Sequence, residues 1–84
     1  MNEMEIKLKL REFIRNNFLL GVSSAVLNDN DSFLEKGIVD STGILELVSF
    51  AEETFNIKVE DEELIPDNLD SVNKLTAFIT KKKS

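Results

Sequence analysis

Eighty-four residues suffice for one domain with one hydrophobic core, and a 42% apolar content with six Phe argues for a folded chain. The chain has no Cys and no His, which excludes disulfides, thiolate chemistry and the commonest general base and metal ligand, so a self-sufficient catalytic site is not expected. A net charge of −6 and a pI near 4.5 disfavour nucleic acid and anionic membranes as partners and favour basic protein surfaces.

The pattern begins with an amphipathic segment over residues 3–17. Ile6, Leu10, Phe13 and Ile14 recur at helical spacing, while Lys7, Arg11, Glu12 and Arg15 fall on the opposite side. A weakly patterned stretch from 18 to 40 follows, with turn chemistry at Asn28-Asp29-Asn30-Asp31-Ser32. Ser32 and Glu35 have capping-box spacing, which predicts one helical turn at 33–36 closed by Gly37. The alternation of acids and amides at 28–32 does not make a calcium loop. Counted from Asn28, its sixth position is Phe33 rather than Gly and its twelfth is Val39 rather than Glu.

The second helix is the clearest element and should start at Asp40 or Ser41 and end at Phe55 or Asn56. Asp40 is a favoured N-cap, and Ile44, Leu47, Val48, Ala51 and Phe55 form one continuous inward stripe. Gly43 weakens the first turn. Ile57-Lys58-Val59 reads as a linker that buries two side chains. Glu60 to Ile65 reads as a short acidic helix stopped before Pro66, because a residue preceding proline disfavours helical geometry. Asp70 or Ser71 then caps a last helix with Val72, Leu75, Phe78 and Ile79 inward, and Lys81-Lys82-Lys83 favours that helix's negative end or frays. Three substantial helices with one or two short turns make an all-α bundle with a long first loop.

The chemistry-bearing segment is the junction at Asp40-Ser41. A side chain in a first helical turn is exposed, and unpaired amides there favour an anionic substituent. Thr42, Leu45, Glu46, Ser49 and Glu53 form a second stripe opposite the core stripe, an apolar residue amid polar ones, suited to weak docking on basic partner surfaces with an apolar centre.

Asp40-Ser41, the run Ile44-Leu45-Glu46-Leu47-Val48, the run Ala51-Glu52-Glu53-Thr54-Phe55, Ile57 to Leu64 and Asp70-Ser71-Val72 together resemble the acyl carrier protein family, over about residues 31–80. The resemblance implies a four-helix bundle of three main helices plus a short third, forming one carrier domain over 1–84. It implies a serine, here Ser41 preceded by Asp40, esterified by 4′-phosphopantetheine from coenzyme A. The thiol of that arm carries acyl or aminoacyl groups as thioesters. A phosphopantetheinyl transferase, a loading ligase and acyl-processing enzymes are the implied partners, met at acidic helix positions matched here by Glu46, Glu52 and Glu53. Thr42-Gly43 and the long loop depart from the usual fatty-acid-synthesis pattern, which points to a specialised carrier. The protein is expected to be a cytoplasmic monomer with neither a membrane span nor a metal site. A competing reading is an unmodified acidic adaptor or inhibitor that binds basic proteins through the second helix. A helix-turn-helix nucleic-acid binder is opposed by the net charge.

Overall fold

In a computed structural model, which describes residues 2–18 and 28–83, the chain is all-helical. Helix α1 spans Glu3–Phe18, α2 Ser41–Phe55, α3 Pro66–Leu69 and α4 Val72–Lys83, with a 3-10 turn at Asp61–Glu63. Each main helix forms because its apolar residues fall on one stripe. Ile6, Leu10 and Ile14 of α1 are buried, as are Leu47, Val48, Ala51 and Phe55 of α2 and Val72, Leu75, Phe78 and Ile79 of α4. Phe13 and Ile44, also expected inward, are only half-buried and pack against the margin of the core. Phe13 stacks on Phe50 of α2, centroids 4.2 Å apart and planes 19° from parallel.

The helix ends follow from local chemistry. Asn2 Oδ1 accepts the Glu5 amide before α1, and Glu3 and Glu5 suit the positive end of the helix dipole. Helix α2 stops at Asn56, whose φ of 55° is a left-handed conformation that Asn tolerates better than most residues. Of the two candidate caps for α4, Ser71 takes the role, its Oγ accepting the Lys74 amide.

The segment before α2 is held by a plug and a set of ties. Residues 19–27 of the expected loop lie outside the described residues. From Asn28 onward, Asp29 pairs with Lys7 at 3.2 Å and Arg11 at 2.7 Å on α1, and its carbonyl accepts the Asn73 amide of α4. Asp29 is thereby engaged by two cations of its own chain. Ser32 Oγ accepts the Glu35 amide and the Ser32 carbonyl accepts the Lys36 amide, forming the predicted turn, which Gly37 closes at φ 67°. Phe33, fully buried, anchors this turn in the core.

Pro66 corrects one expectation. The Glu60–Ile65 helix is a 3-10 turn of three residues, closed at its start by Glu60 and Glu63 capping one another, and Pro66 begins α3 rather than merely ending a helix. Its missing N–H is no loss at a first helical position, and Ile65 before it takes the extended backbone that proline imposes. The C-terminal lysines also do more than face their own helix end. Lys82 pairs with Glu63 at 2.8 Å, and Lys83 Nζ donates to the Phe55 carbonyl at 2.8 Å, tying α4 to the end of α2.

Glu63 gives this end of the bundle a pH dependence. The Lys82 ammonium, and secondarily the Glu60 amide, hold its carboxyl below the ordinary value of 4.5. A carboxyl with a lowered folded-state pKa stabilises the fold above its unfolded value, and that stabilisation is lost as pH falls through the folded value. Urea unfolding should therefore find Glu63→Gln less stable than wild type at pH 7. The gap should narrow as pH drops below 4.5, and a gap that stays constant with pH would contradict the assignment.

Candidate functional site

The site is built at the start of α2. Asp40, in extended backbone, caps the helix: its Oδ1 accepts the Gly43 amide at 2.7 Å, and its carbonyl accepts the Ile44 amide at 2.9 Å. Ser41 is the first helical residue and is exposed, as are Asp40 and Thr42. The amides of Ser41 and Thr42 have no acceptor among the described residues, so the helix start offers two donors beside the Ser41 side chain.

Gly43 has a packing role rather than the loosening one that its low helix propensity suggests. A Cβ there would lie 2.6 Å from Val39 Cγ1 and 2.9 Å from Phe18 Cε1. The bare backbone lets α1 and the segment entering α2 close over the core at this point.

Beside Ser41 lies an open apolar cleft of about 290 Å³, bordered by α2, α3 and the turn at 33–37. Its walls are mainly Leu34, Ile44, Leu45, Leu64, Ile65 and Leu69, with Ser41 at one side. Three of the five large apolar residues exposed among the described residues stand here: Leu34 at 43%, Leu45 at 55% and Ile65 at 44% exposure. The only ionisable lining residue is Asp70, which is 9% exposed and bonded to the turn through both carboxylate oxygens. Leu34 and Ile65 carry no helical periodicity that relates them to Ser41. They meet it because three separated segments converge, so pattern reading along the chain does not find them.

The second stripe of α2 is disposed as expected for Thr42, Leu45, Glu46, Ser49 and Glu53, all exposed. Glu52 differs. It is half-buried and its Oε2 accepts the Val59 amide at 2.9 Å, so its carboxylate fastens the 57–59 linker to α2 instead of standing with the outward acids.

Residues 19–79 match a family model described as a phosphopantetheine attachment site. The chain is 33% identical over 78 residues to the D-alanyl carrier protein of Streptococcus sanguinis, covering 93% of this chain and 95% of that protein. It is 37% identical over 81 residues to the acyl carrier protein of Akkermansia muciniphila, covering 96% of each. The acyl carrier protein of Solidesulfovibrio magneticus is 31% identical over 80 residues, covering 95% of this chain and 97% of its own length.

The packing at Gly43 gives a direct test. Gly43→Ala adds a methyl group where 2.6 Å is available, and overpacking of about 1–3 kcal/mol should outweigh the roughly 1 kcal/mol gained in helix propensity. Denaturant unfolding should show a net loss of stability. An exposed helical glycine with space around it would show a gain.

Proposed function

The chain belongs to the phosphopantetheine-attachment family, as a carrier whose covalent arm is 4′-phosphopantetheine, and on that premise we propose that Ser41 bears the arm. The observation that carries the assignment is a serine exposed at the first position of α2, between a capping aspartate and an apolar cleft. These residues fit such a group. A hydroxyl on the surface is open to a transferase, the amides of Ser41 and Thr42 suit a phosphodiester, and the cleft walls suit the less polar atoms beyond it. Asp40 serves the site indirectly, holding the helix start through its bond to the Gly43 amide, with its charge partly satisfied by that bond.

When attached, the arm supplies a terminal thiol on which acyl groups are carried as thioesters. The chain's own contribution is tethering and recognition. A bound cargo meets each partner enzyme at raised effective concentration, and the partners supply the bond-making steps. We assign recognition to Leu45 and its exposed neighbours Thr42, Glu46, Ser49 and Glu53, with Leu34 and Ile65 extending the apolar centre toward Ser41. An apolar centre rimmed by carboxylates fits a partner with the reverse arrangement, a hydrophobic patch rimmed by Lys and Arg. Glu52 is left out of this surface because its carboxylate is spent on Val59.

The finer reading is a specialised carrier of acyl or aminoacyl groups, loaded by a dedicated ligase and forming a single domain over 1–84. It is supported by Thr42-Gly43 after the serine and by near full-length similarity to proteins named as acyl and D-alanyl carriers. A cytoplasmic site of action is supported by coenzyme A as the donor of the arm. No helix among the described residues is long and apolar enough to cross a membrane.

Incubation with a broad-specificity phosphopantetheinyl transferase and coenzyme A should add one arm to the wild-type chain by intact mass and none to Ser41→Ala. An arm retained in that variant would overturn the assignment, and no arm on wild type would favour an unmodified adaptor. Reversal of charge in Glu46→Lys should slow attachment or loading by roughly tenfold at low salt, with less effect at high salt. Rates equal to wild type would remove Glu46 from the docking surface.

A further inference from the structure

Asp70 lies between α3 and α4, and its side chain does neither of the usual things for a surface aspartate. It does not cap α4, which Ser71 does, and it forms no ion pair among the described residues. It is buried, and it accepts two hydrogen bonds from the segment that leads toward α2: the Leu34 amide at 3.0 Å on Oδ1 and the Ser32 hydroxyl on Oδ2. Those donors lie 36 and 38 residues away in the chain. A buried carboxylate is costly unless its oxygens are satisfied, so these bonds are what make the position tolerable.

The consequence falls on the cleft. Leu34, whose amide Asp70 holds, lines the apolar space beside Ser41, and Asp70 itself also borders it. Leu64, Ile65 and Leu69, which also line this space, come shortly before Asp70 in the chain. One carboxylate thus ties the segment that carries Leu34 to the junction that follows Leu64, Ile65 and Leu69. Gly37, at φ 67°, closes the turn next to this tie and lets it swing into α2 without strain.

We propose that Asp70 is a latch: by holding Ser32 and Leu34 it keeps the cleft beside Ser41 closed on one side, and so sets how far an arm or cargo on Ser41 is shielded from water. This rests on Ser41 as the attachment residue. Asp70 is a positioning residue, because it acts through the segment it holds, Ser32 and Leu34. Its geometry matters more than its charge. An Asn at 70 retains an oxygen for the Leu34 amide and can donate to Ser32 Oγ, so Asp70→Asn should keep the latch and Asp70→Ala should release it.

The test uses the full chain in two states. In the unloaded protein, amide hydrogen exchange should show the Leu34 amide protected in wild type and Asp70→Asn, and faster by about threefold or more in Asp70→Ala and Ser32→Ala. In protein loaded from octanoyl-coenzyme A, cleavage of the thioester by hydroxylamine should be slower than for free octanoyl-pantetheine. It should speed up in Asp70→Ala, Ser32→Ala and Leu34→Ser, and stay near the wild-type rate in Asp70→Asn. Arm attachment itself should be unchanged in Asp70→Asn, Asp70→Ala and Ser32→Ala, and the Leu34→Ser comparison is made on protein that has been fully loaded.

Ser32→Ala and Leu34→Ser carry the test if Asp70→Ala fails to fold, since one removes only the Ser32 hydroxyl, with its bonds to Asp70 and to the Glu35 amide, and the other an exposed side chain. Variants that fold and accept the arm but cleave at the wild-type rate would overturn the latch, as would a wild-type thioester no better shielded than the free one. Absence of any arm on wild type would instead sink the Ser41 assignment, which separates the two failures.

Discussion

Helix α2 must bury one side along its whole length while its first turn stays open to solvent, and much of the rest of the structure can be traced to that requirement. Leu47, Val48, Ala51 and Phe55 commit the helix to the core, yet its first backbone amides lack intrahelical acceptors and would carry an unsatisfied cost if enclosed. The chain meets both demands with a short polar cap. Asp40 takes the Gly43 amide, the Ser41 and Thr42 amides face solvent, and burial begins only at Gly43. A serine in that first turn is exposed as a by-product of how helices end.

The remaining elements position that helix start and give it surroundings. Asp29 fixes the approach segment to α1 through Lys7 and Arg11, Phe33 plugs it into the core, and Asp70 holds it against the α3–α4 junction. At the far end, Asn56 turns the chain out of the helix, Glu52 secures the linker and Lys83 bonds the Phe55 carbonyl. Both ends of α2 are therefore held by polar contacts to other segments, while its middle is held by packing. Partly exposed polar contacts of this kind are each weak in isolation. Their value here is in direction, since they select one arrangement among several that would bury similar apolar area.

The acidic surface divides in the same way between charges that face outward and charges that serve the fold. Glu46 and Glu53 are exposed on the stripe that holds Leu45, whereas Glu52, Glu63 and Asp70 are each bonded within the chain. A net charge of −6 thus overstates the number of carboxylates on offer to a partner. Glu46 and Glu53 remain outward on the stripe of α2 that holds Leu45, where a shuttle protein needs contacts that form and release quickly.

Periodicity alone determined the three long helices and nearly all of their buried residues, because a 3.6-residue repeat and a cap are local properties that each segment carries for itself. The Asp40-Ser41 junction was legible for the same reason, as a cap followed by a first-turn hydroxyl. The sequence also carried the resemblance that points to a carrier. Only the tertiary structure decided the rest. It set Pro66 at the start of a helix, turned Gly43 into a close-packing point, withdrew Glu52 from the outer face and brought Leu34, Ile65 and Asp70 to Ser41 from segments far apart in the chain. Such contacts depend on which segments pack together, and no spacing within a single segment encodes that choice.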